Sequence, residues 1–243
     1  MCEAELRQGA CSRESSDEKA HCAGGVARCE CSGAACRVIR CSRGEPSHTG
    51  PQLPYRISDS FDGTSLNAAV WVTDIQSDGT SQGVRNGSLR LTASNAASSG
   101  FHDGILTRCQ AVGDFDAQIR FTLSTWPANN NVSLAVNAPN LGNTFVQSAV
   151  GGDVFGLFVQ PSRFITIPAS VRRGELRLSR RGDLTSAYVR SGRAGRWRRI
   201  AQFSGSTSST WVGVAIWNIS DFGGQPVSVQ VDSFKLDAAA LSC

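Results

Sequence analysis

Apolar and polar residues alternate with a period of two over much of this chain. The clearest run spans residues 115–123, in which every second side chain is apolar: Phe115, Ala117, Ile119, Phe121 and Leu123. This period is typical of a half-buried antiparallel strand. Similar runs lie at residues 88–94, 132–136, 154–159, 211–217 and 226–236. We therefore expect an all-β protein of about ten to twelve strands without a helix.

Residues 176–203 contain the most readable local unit. Two alternating runs, 176–179 and 187–190, flank Gly182-Asp183, and a third run follows at 197–203. Glycine and aspartate between alternating runs are a β-turn signal. Three consecutive strands with one apolar face need a second sheet to cover that face, so the pattern predicts a two-sheet sandwich.

The last apolar run changes phase. Val227, Val229 and Val231 share one parity, whereas Phe234 and Leu236 share the other. One extra residue in a strand produces such a shift. We expect a β-bulge near Asp232-Ser233.

The cysteines divide the chain. Seven of the nine lie within the first 41 residues, in a stretch with few large apolar residues. This clustering predicts a small disulfide-rich segment in an oxidising compartment; the spacing lacks the paired C-x2-C of common zinc sites, which makes metal the weaker alternative. We expect a cysteine-rich segment at 1–44, a Pro-rich linker at 45–54 and a β domain at 55–243.

An odd number of cysteines leaves one to explain. Cys2 at the start of a mature bacterial lipoprotein would carry a lipid anchor, and a free thiol or an intermolecular bridge is the alternative. The chain has no signal peptide and no apolar run long enough for a transmembrane segment. We expect an exported, extracellular or cell-surface protein whose signal peptide is not part of this sequence.

Positive charge is concentrated in one region. Residues 163–199 hold eleven arginines and two acidic residues, a net charge of +9. Arg177, Tyr188 and Arg190 fall on the non-core parity of the hairpin, where they form either a site for an acidic polysaccharide or a solvated basic face. No nucleic-acid-binding module is recognisable, so nucleic acid is not an expected partner.

Residues 211–217 are the best candidate for a binding surface. Val212, Val214 and Ile216 form the core parity, which leaves Trp211 and Trp217 on the other face, separated by glycine and alanine. Small residues leave a groove and indoles offer a stacking surface for sugar rings. Asn218 would supply hydrogen bonds at the rim, and Trp126 in a nearby loop would add another aromatic. The alternative is that these side chains pack against neighbouring parts of the chain.

The serial order of these segments resembles the concanavalin A-like lectin/glucanase superfamily, and most closely its bacterial, laminin-G-like modules. The resemblance runs from FDG (61–63) through GDFDAQIRF (113–121) and VGVAIWN (212–218) to VSVQVDSFKL (227–236). It implies a two-sheet antiparallel jelly-roll sandwich that binds glycans on its concave sheet. It also implies a structural calcium near the first and last strands, with Asp62 and Asp232 as ligands.

Cleavage of glycans is not favoured by the sequence. Glucanases of this superfamily carry an E-x-D-x-E arrangement on one strand, whereas the β domain here has a single glutamate, Glu175. Asp114 and Asp116 are the nearest paired carboxylates, and His102-Asp103 lacks a nucleophile nearby. The sequence therefore predicts a non-catalytic, lectin-like carbohydrate-binding module. A glycoside hydrolase of the same fold and an adhesion domain that binds another protein are the alternatives.

Overall fold

The computed structural model describes residues 53–169, 171–192, 195–218 and 222–243, and the backbone of 21–22, 25–26, 28–32 and 35–40. Two compact units are present, one within residues 1–52 and one from Leu53 to Cys243. In the first, β1 (His21–Cys22) pairs with β2 (Gly25–Val26), and β3 (Arg28–Ser32) pairs with β4 (Ala35–Arg40). The predicted lipid anchor at Cys2, the cysteine side chains of this unit and linker residues 45–52 lie outside the described residues.

The second unit is built of strands alone, as predicted. No helix occurs among the described residues, and therefore none with the length and apolar character to cross a membrane. The strands are β5 (Tyr55–Asp59), β6 (Trp71–Gln76), β7 (Thr80–Val84), β8 (Leu89–Ala93), β9 (His102–Thr107), β10 (Gln110–Thr125), β11 (Val132–Ala138), β12 (Gly142–Ala149), β13 (Gly152–Val159), β14 (Arg163–Pro168), β15 (Arg173–Arg181), β16 (Leu184–Arg190), β17 (Arg198–Ser204), β18 (Gly213–Asn218) and β19 (Val227–Ser242).

These strands form two antiparallel sheets that pack face to face. The eight-stranded sheet has the order β17-β16-β15-β10-β19-β8-β7, with β5 also paired to β19. The seven-stranded sheet has the order β14-β13-β12-β11-β18-β9-β6. One buried apolar cluster draws side chains from both sheets. The predicted two-sheet sandwich is thereby confirmed.

Alternation places side chains as the sequence indicated. Leu176 and Leu178 of β15 are fully buried in the core, and so are Val214 and Ile216 of β18. Neighbouring positions on these strands therefore point away from the core, because successive side chains alternate between the faces of a sheet. The outward positions of the two sheets give the molecule two chemically different surfaces.

The predicted hairpin and the predicted bulge are both present. β15 and β16 pair antiparallel around Gly182, which has a φ of 57°. Glycine tolerates this left-handed conformation without a steric penalty. In β19, Ser233 pairs with Arg120 and Val231 pairs with Phe121, so Asp232 is the inserted residue.

The sequence left the pairing of Cys109 open, and the structure joins it to Cys243. The disulfide links the start of β10 to the end of β19, where Gln110 already pairs with Ser242. It closes a loop with a sequence separation of 134 residues. Such a long loop restricts the unfolded chain strongly in the chain-entropy model. The bond therefore fastens the two central strands of the eight-stranded sheet at one end.

Candidate ligand-binding faces

The outer face of the seven-stranded sheet carries a second apolar layer. Leu106, Ala135, Phe145 and Ala215 are each less than 10% exposed but do not belong to the core cluster between the sheets. All four occupy outward positions, since their neighbours along each strand face the core. Buried apolar side chains on the outside of a sandwich need a partner other than the opposite sheet. Here, aromatic rings contact one another along this face.

Four rings form what we call the aromatic row: His102, Trp217, Phe145 and Phe164. The His102 and Trp217 ring centroids are 6.3 Å apart with an interplanar angle of 16°. Trp217 meets Phe145 edge-on at 6.5 Å, and Phe145 stacks on Phe164 at 5.7 Å. The row crosses the sheet from β9 to β14, and its outer end is open, because Phe164 is 58% exposed.

The strand register explains why these rings meet. Trp217 pairs directly with His102. Strand β11 lies between β18, which carries Trp217, and β12, which carries Phe145, and the residue of β11 that pairs with Phe145 is Ala135. The small side chain of Ala135 leaves space above β11 for the two larger rings. Gly156 does the same one strand further on, because a Cβ at this position would overlap the Phe145 ring.

His102 also contacts a carboxylate. Its Nε2 lies 2.9 Å from Oδ2 of Asp74 on the edge strand β6. Asp74 is the only carboxylate at the outward positions of the described strands in this sheet. His102 lies in strand β9, and its sequence neighbour Asp103 pairs in register with Ile216 and points inward.

Asp103 is an isolated buried carboxylate beneath this face. Its side chain has no solvent exposure, and neither oxygen has a hydrogen-bond partner of good geometry. Burial raises its pKa from 3.8 to about 6, an effect that the backbone N–H of Gly104 partly offsets. A buried charge without a partner is costly, so the neutral form is favoured.

The other residues predicted for this site lie in different surroundings. Trp211 is 37% exposed and precedes β18 by two residues, so it lies roughly 20 Å along the strand direction from Trp217. Asn218 is buried; its amide accepts a hydrogen bond from Gly100 N and donates one to Asn131 O. Trp126 is 6% exposed and packs in the core. We therefore leave Asn218 and Trp126 out of the site proposed below.

The outer face of the eight-stranded sheet is charged instead. We define the cationic face by three carboxylates and six cations: Asp116 with Arg177 and Arg181, Glu175 with Arg120 and Arg190, and Asp237 with Arg56 and Lys235. Each carboxylate thus lies between two positive groups. For Asp237, burial alone would raise the pKa, but Lys235 and Arg56 outweigh burial and hold the pKa below its usual value.

Two aromatic rings support this network. The Arg177 guanidinium lies 5.1 Å from the Tyr188 ring centroid and 5.7 Å from that of Trp197. Arg190 lies 4.6 Å from the Trp197 centroid. Cation–π contacts of this kind hold guanidinium groups in one orientation. The rings and the carboxylates therefore fix the arginines from two sides.

The structure separates the predicted binding residues into two sites. Trp217 is on the outer face of the seven-stranded sheet, whereas Arg177, Tyr188 and Arg190 are on the outer face of the eight-stranded sheet, so they cannot contact one small ligand.

Not every arginine adds charge to the cationic face. Arg180 is 1% exposed, points inward and donates to the backbone carbonyls of Gly113 and Ser208.

The predicted acidic and metal-binding residues lie in separate surroundings. Asp116 binds Arg177 through both carboxylate oxygens, at 2.9 and 2.8 Å from Nε, and Asp114 accepts from Gly182 N. Asp62 lines a depression of about 320 Å³ formed by residues 58–63, 65 and 67, but Asp232 does not. Among the described residues, no group of three His, Cys, Asp or Glu side chains could hold a metal ion.

We call the outer face of the seven-stranded sheet the aromatic face. Three of its residues were not identified from the sequence: Asp74, Phe145 and Phe164. Phe145 lies in NTFVQS, where polar neighbours give no clear alternation, and Phe164 lies in an edge strand that ends at Pro168. A parity count across β12 and β14 places both rings on the outer face. That count requires strand boundaries that only the structure supplies.

Comparisons with known proteins concern the fold. The sequence matches no protein-family model and no curated protein. Among solved structures, a mutant of the GH43 protein BlXynB from Bacillus licheniformis is 15% identical, with a TM-score of 0.58 over 74% of this chain and 39% of that one. A beta-1,3-glucanase from Mycobacterium marinum is 10% identical, with a TM-score of 0.54 over 77% and 99%. The calcium-bound exoplasmic/lumenal domain of VIP36 is 11% identical, with a TM-score of 0.55 over 77% and 94%.

At these identities the likeness shows the fold alone. This fold is a two-sheet β-sandwich, consistent with the concanavalin A-like, lectin-type architecture expected from the sequence. The chain spans 39% of the length of BlXynB but nearly the whole of the other two structures.

Proposed function

We propose that this chain is a non-catalytic, lectin-like carbohydrate-binding module of an exported or cell-surface protein, related to the laminin-G-like modules. Its binding surface is the aromatic row, with Trp217 as the central contact. The observation that carries this proposal is the row itself: the partly exposed rings of His102, Trp217 and Phe164 on the outer face of a sheet, beside the polar side chain of Asp74. Aromatic faces with a few adjacent hydrogen-bonding groups are suited to sugar rings.

The distribution of carboxylates supports binding rather than cleavage. Glycoside hydrolysis normally needs two carboxyl groups about 5–9.5 Å apart on either side of the bond. Among the described strands of the seven-stranded sheet, Asp74 is the one outward carboxylate, and it already contacts His102; on the opposite face Asp116 is neutralised by Arg177. The glucanase named above has this fold, and so does the VIP36 domain, so the fold alone does not choose between the two functions.

The test is binding of the full-length protein to insoluble neutral polysaccharides. We expect Trp217→Ala to reduce retention by about tenfold or more, because truncating a central aromatic contact in a binding site costs on the order of 2 kcal/mol. Trp197→Ala is the matched control, since it removes an indole from the opposite outer face. Equal losses in both variants would contradict the proposal.

The alternatives have their own outcomes in the same experiment. Release of reducing sugar that disappears in Asp116→Asn would identify a glycoside hydrolase. Retention by no polysaccharide, together with a stable complex with a cell-surface protein, would identify an adhesion domain. Neither outcome is compatible with the proposed lectin-like function.

Structural calcium remains part of the proposal, with Asp62 and Asp232 as ligands. Asp59 is not available to it, because its two carboxylate oxygens accept hydrogen bonds from Phe61 N and Trp71 Nε1. If calcium binds at Asp62, the melting temperature should rise with added calcium in the wild type and not in Asp62→Asn. An unchanged melting temperature in the wild type would argue against the site.

A further inference from the structure

The cationic face has more positive than negative groups, and the arrangement is regular. Asp237 lies 2.7 Å from Arg56 Nε and 2.6 Å from Lys235 Nζ. Glu175 contacts Arg190 and lies 3.4 Å from Arg120 Nε. Asp116 contacts Arg177 and lies 3.8 Å from Arg181. Two cations per carboxylate leave one positive charge uncompensated at each of the three positions.

The uncompensated charge faces solvent. The three carboxylate side chains are only 6–15% exposed, whereas Arg56, Lys235, Arg181 and Arg120 are 33–57% exposed. A ligand approaching this sheet therefore meets guanidinium and ammonium groups before it meets any carboxylate. Because the carboxylates hold one side of each cation, the remaining N–H donors are kept in place for an incoming anion.

The three positions form a patch that extends both across the sheet and along its strands. They belong to the neighbouring strands β19, β10 and β15, in which Asp237 pairs with Asp116 and Arg120 pairs with Glu175. Glu175 therefore lies four residues, about 13 Å, further along the strand direction than Asp116, and positive groups recur both across and along the strands. A linear polymer with repeated anionic groups can contact several of these positions at once, whereas a single small anion contacts only one.

The aromatic rings of this face argue against nucleic acid as the ligand. Proteins that bind single strands stack bases on open aromatic rings. Here the Tyr188 and Trp197 rings are contacted by Arg177 and Arg190. The face consequently offers charge and hydrogen-bond donors but little stacking surface, which suits sulfate or carboxylate groups on a sugar polymer.

We propose that the cationic face is a second binding site, for an anionic polysaccharide, which acts independently of the aromatic row. The proposal goes beyond the neutral-sugar site at Trp217, and either site can exist without the other. The shared ligand chemistry is an anionic group, either a sulfate ester or a free carboxylate, repeated along a carbohydrate chain. Dextran sulfate is the sulfated probe, polygalacturonate the carboxylated one and unmodified dextran the neutral one.

The decisive variant removes exposed cations but leaves each carboxylate with one cationic partner. In Arg120→Gln/Lys235→Gln, Glu175 keeps Arg190 and Asp237 keeps Arg56. The matched control is Arg85→Gln/Arg163→Gln, which removes two exposed positive charges at positions outside the cationic face. Circular dichroism and melting temperature establish that both variants are folded before binding is compared.

We expect the wild-type full-length protein to bind dextran sulfate or polygalacturonate more tightly than dextran at low ionic strength. The Arg120/Lys235 variant should lose about tenfold in affinity, and the control variant less than about twofold. Affinity should fall steeply with salt, because exposed charges are screened beyond about 8 Å at 0.15 M. The Trp217→Ala variant should still bind the polyanion with wild-type affinity, which would show that this site is independent of the aromatic row.

Three results would overturn the proposal. The first is no binding of either anionic polymer by the wild type, and the second is an equal loss in the control variant, which would reflect net charge alone. The third is tighter binding of single-stranded DNA than of dextran sulfate, which would assign the face to nucleic acid.

Discussion

The two outer faces of this sandwich are covered by different kinds of side chain. The seven-stranded sheet covers itself with rings and small side chains, and its one outward carboxylate, Asp74, contacts His102. The eight-stranded sheet carries three carboxylates that each contact two cations. The same alternation of side chains produces both faces, so the difference lies in which residues the sequence supplies at the outward positions. One core therefore supports an aromatic surface on one sheet and a charged surface on the other.

The largest loss of stability is expected for a substitution in the cationic face. Glu175 is 4% exposed and is shared by Arg120 and Arg190. Glu175→Gln should lower the free energy of unfolding by about 4 kcal/mol, because it leaves guanidinium groups without their anionic partner. Urea unfolding measures this loss. Asp183→Asn, in an exposed turn of the same sheet, is the control and should change stability by less than about 0.5 kcal/mol.

The equivalent test of the aromatic face is Phe145→Ala. This ring is 3% exposed, and its removal leaves a space above Gly156, so we expect a loss of about 3–4 kcal/mol. Phe164→Ala should cost under about 1 kcal/mol, since that ring is 58% exposed. The loss in Phe145→Ala should be the same at low and high salt. A strong salt dependence would show that this face also depends on charge.

A smaller effect on stability is expected from the pH dependence of Asp103, a buried carboxylate that differs from those of the cationic face. Asp103 has no cation, and burial raises its pKa to about 6 from 3.8. The folded carboxyl stays neutral while the unfolded one ionises, so stability should fall as the pH rises from about 4 to about 6. The loss is on the order of 3 kcal/mol. Asp103→Asn should remove this component of the pH dependence in urea unfolding measured from pH 4 to pH 8. An unchanged profile would mean that another group causes it.

The sequence predicted those parts of the structure that depend on local alternation. The parity of Val212, Val214 and Ile216 correctly placed Trp217 outward, and the phase change near Asp232 correctly indicated a bulge. Strands with weak alternation escaped prediction, such as the polar β7 and the edge strand β14. The partners of Arg177 and His102 are 61 and 28 residues away in the chain. Only the pairing of distant strands brings them together, so no local pattern could reveal them.

The central claim is that neutral sugars bind at Trp217, and the indole N–H signals test it directly. The chain has five tryptophans, whose ¹⁵N-labelled indole resonances can be assigned by single Trp→Phe variants. During titration with a neutral oligosaccharide that the protein retains, we predict that the Trp217 signal shifts with saturation. Trp197, on the cationic face, and Trp71, in the core, should not shift. Saturable shifts at Trp197 with none at Trp217 would contradict the account.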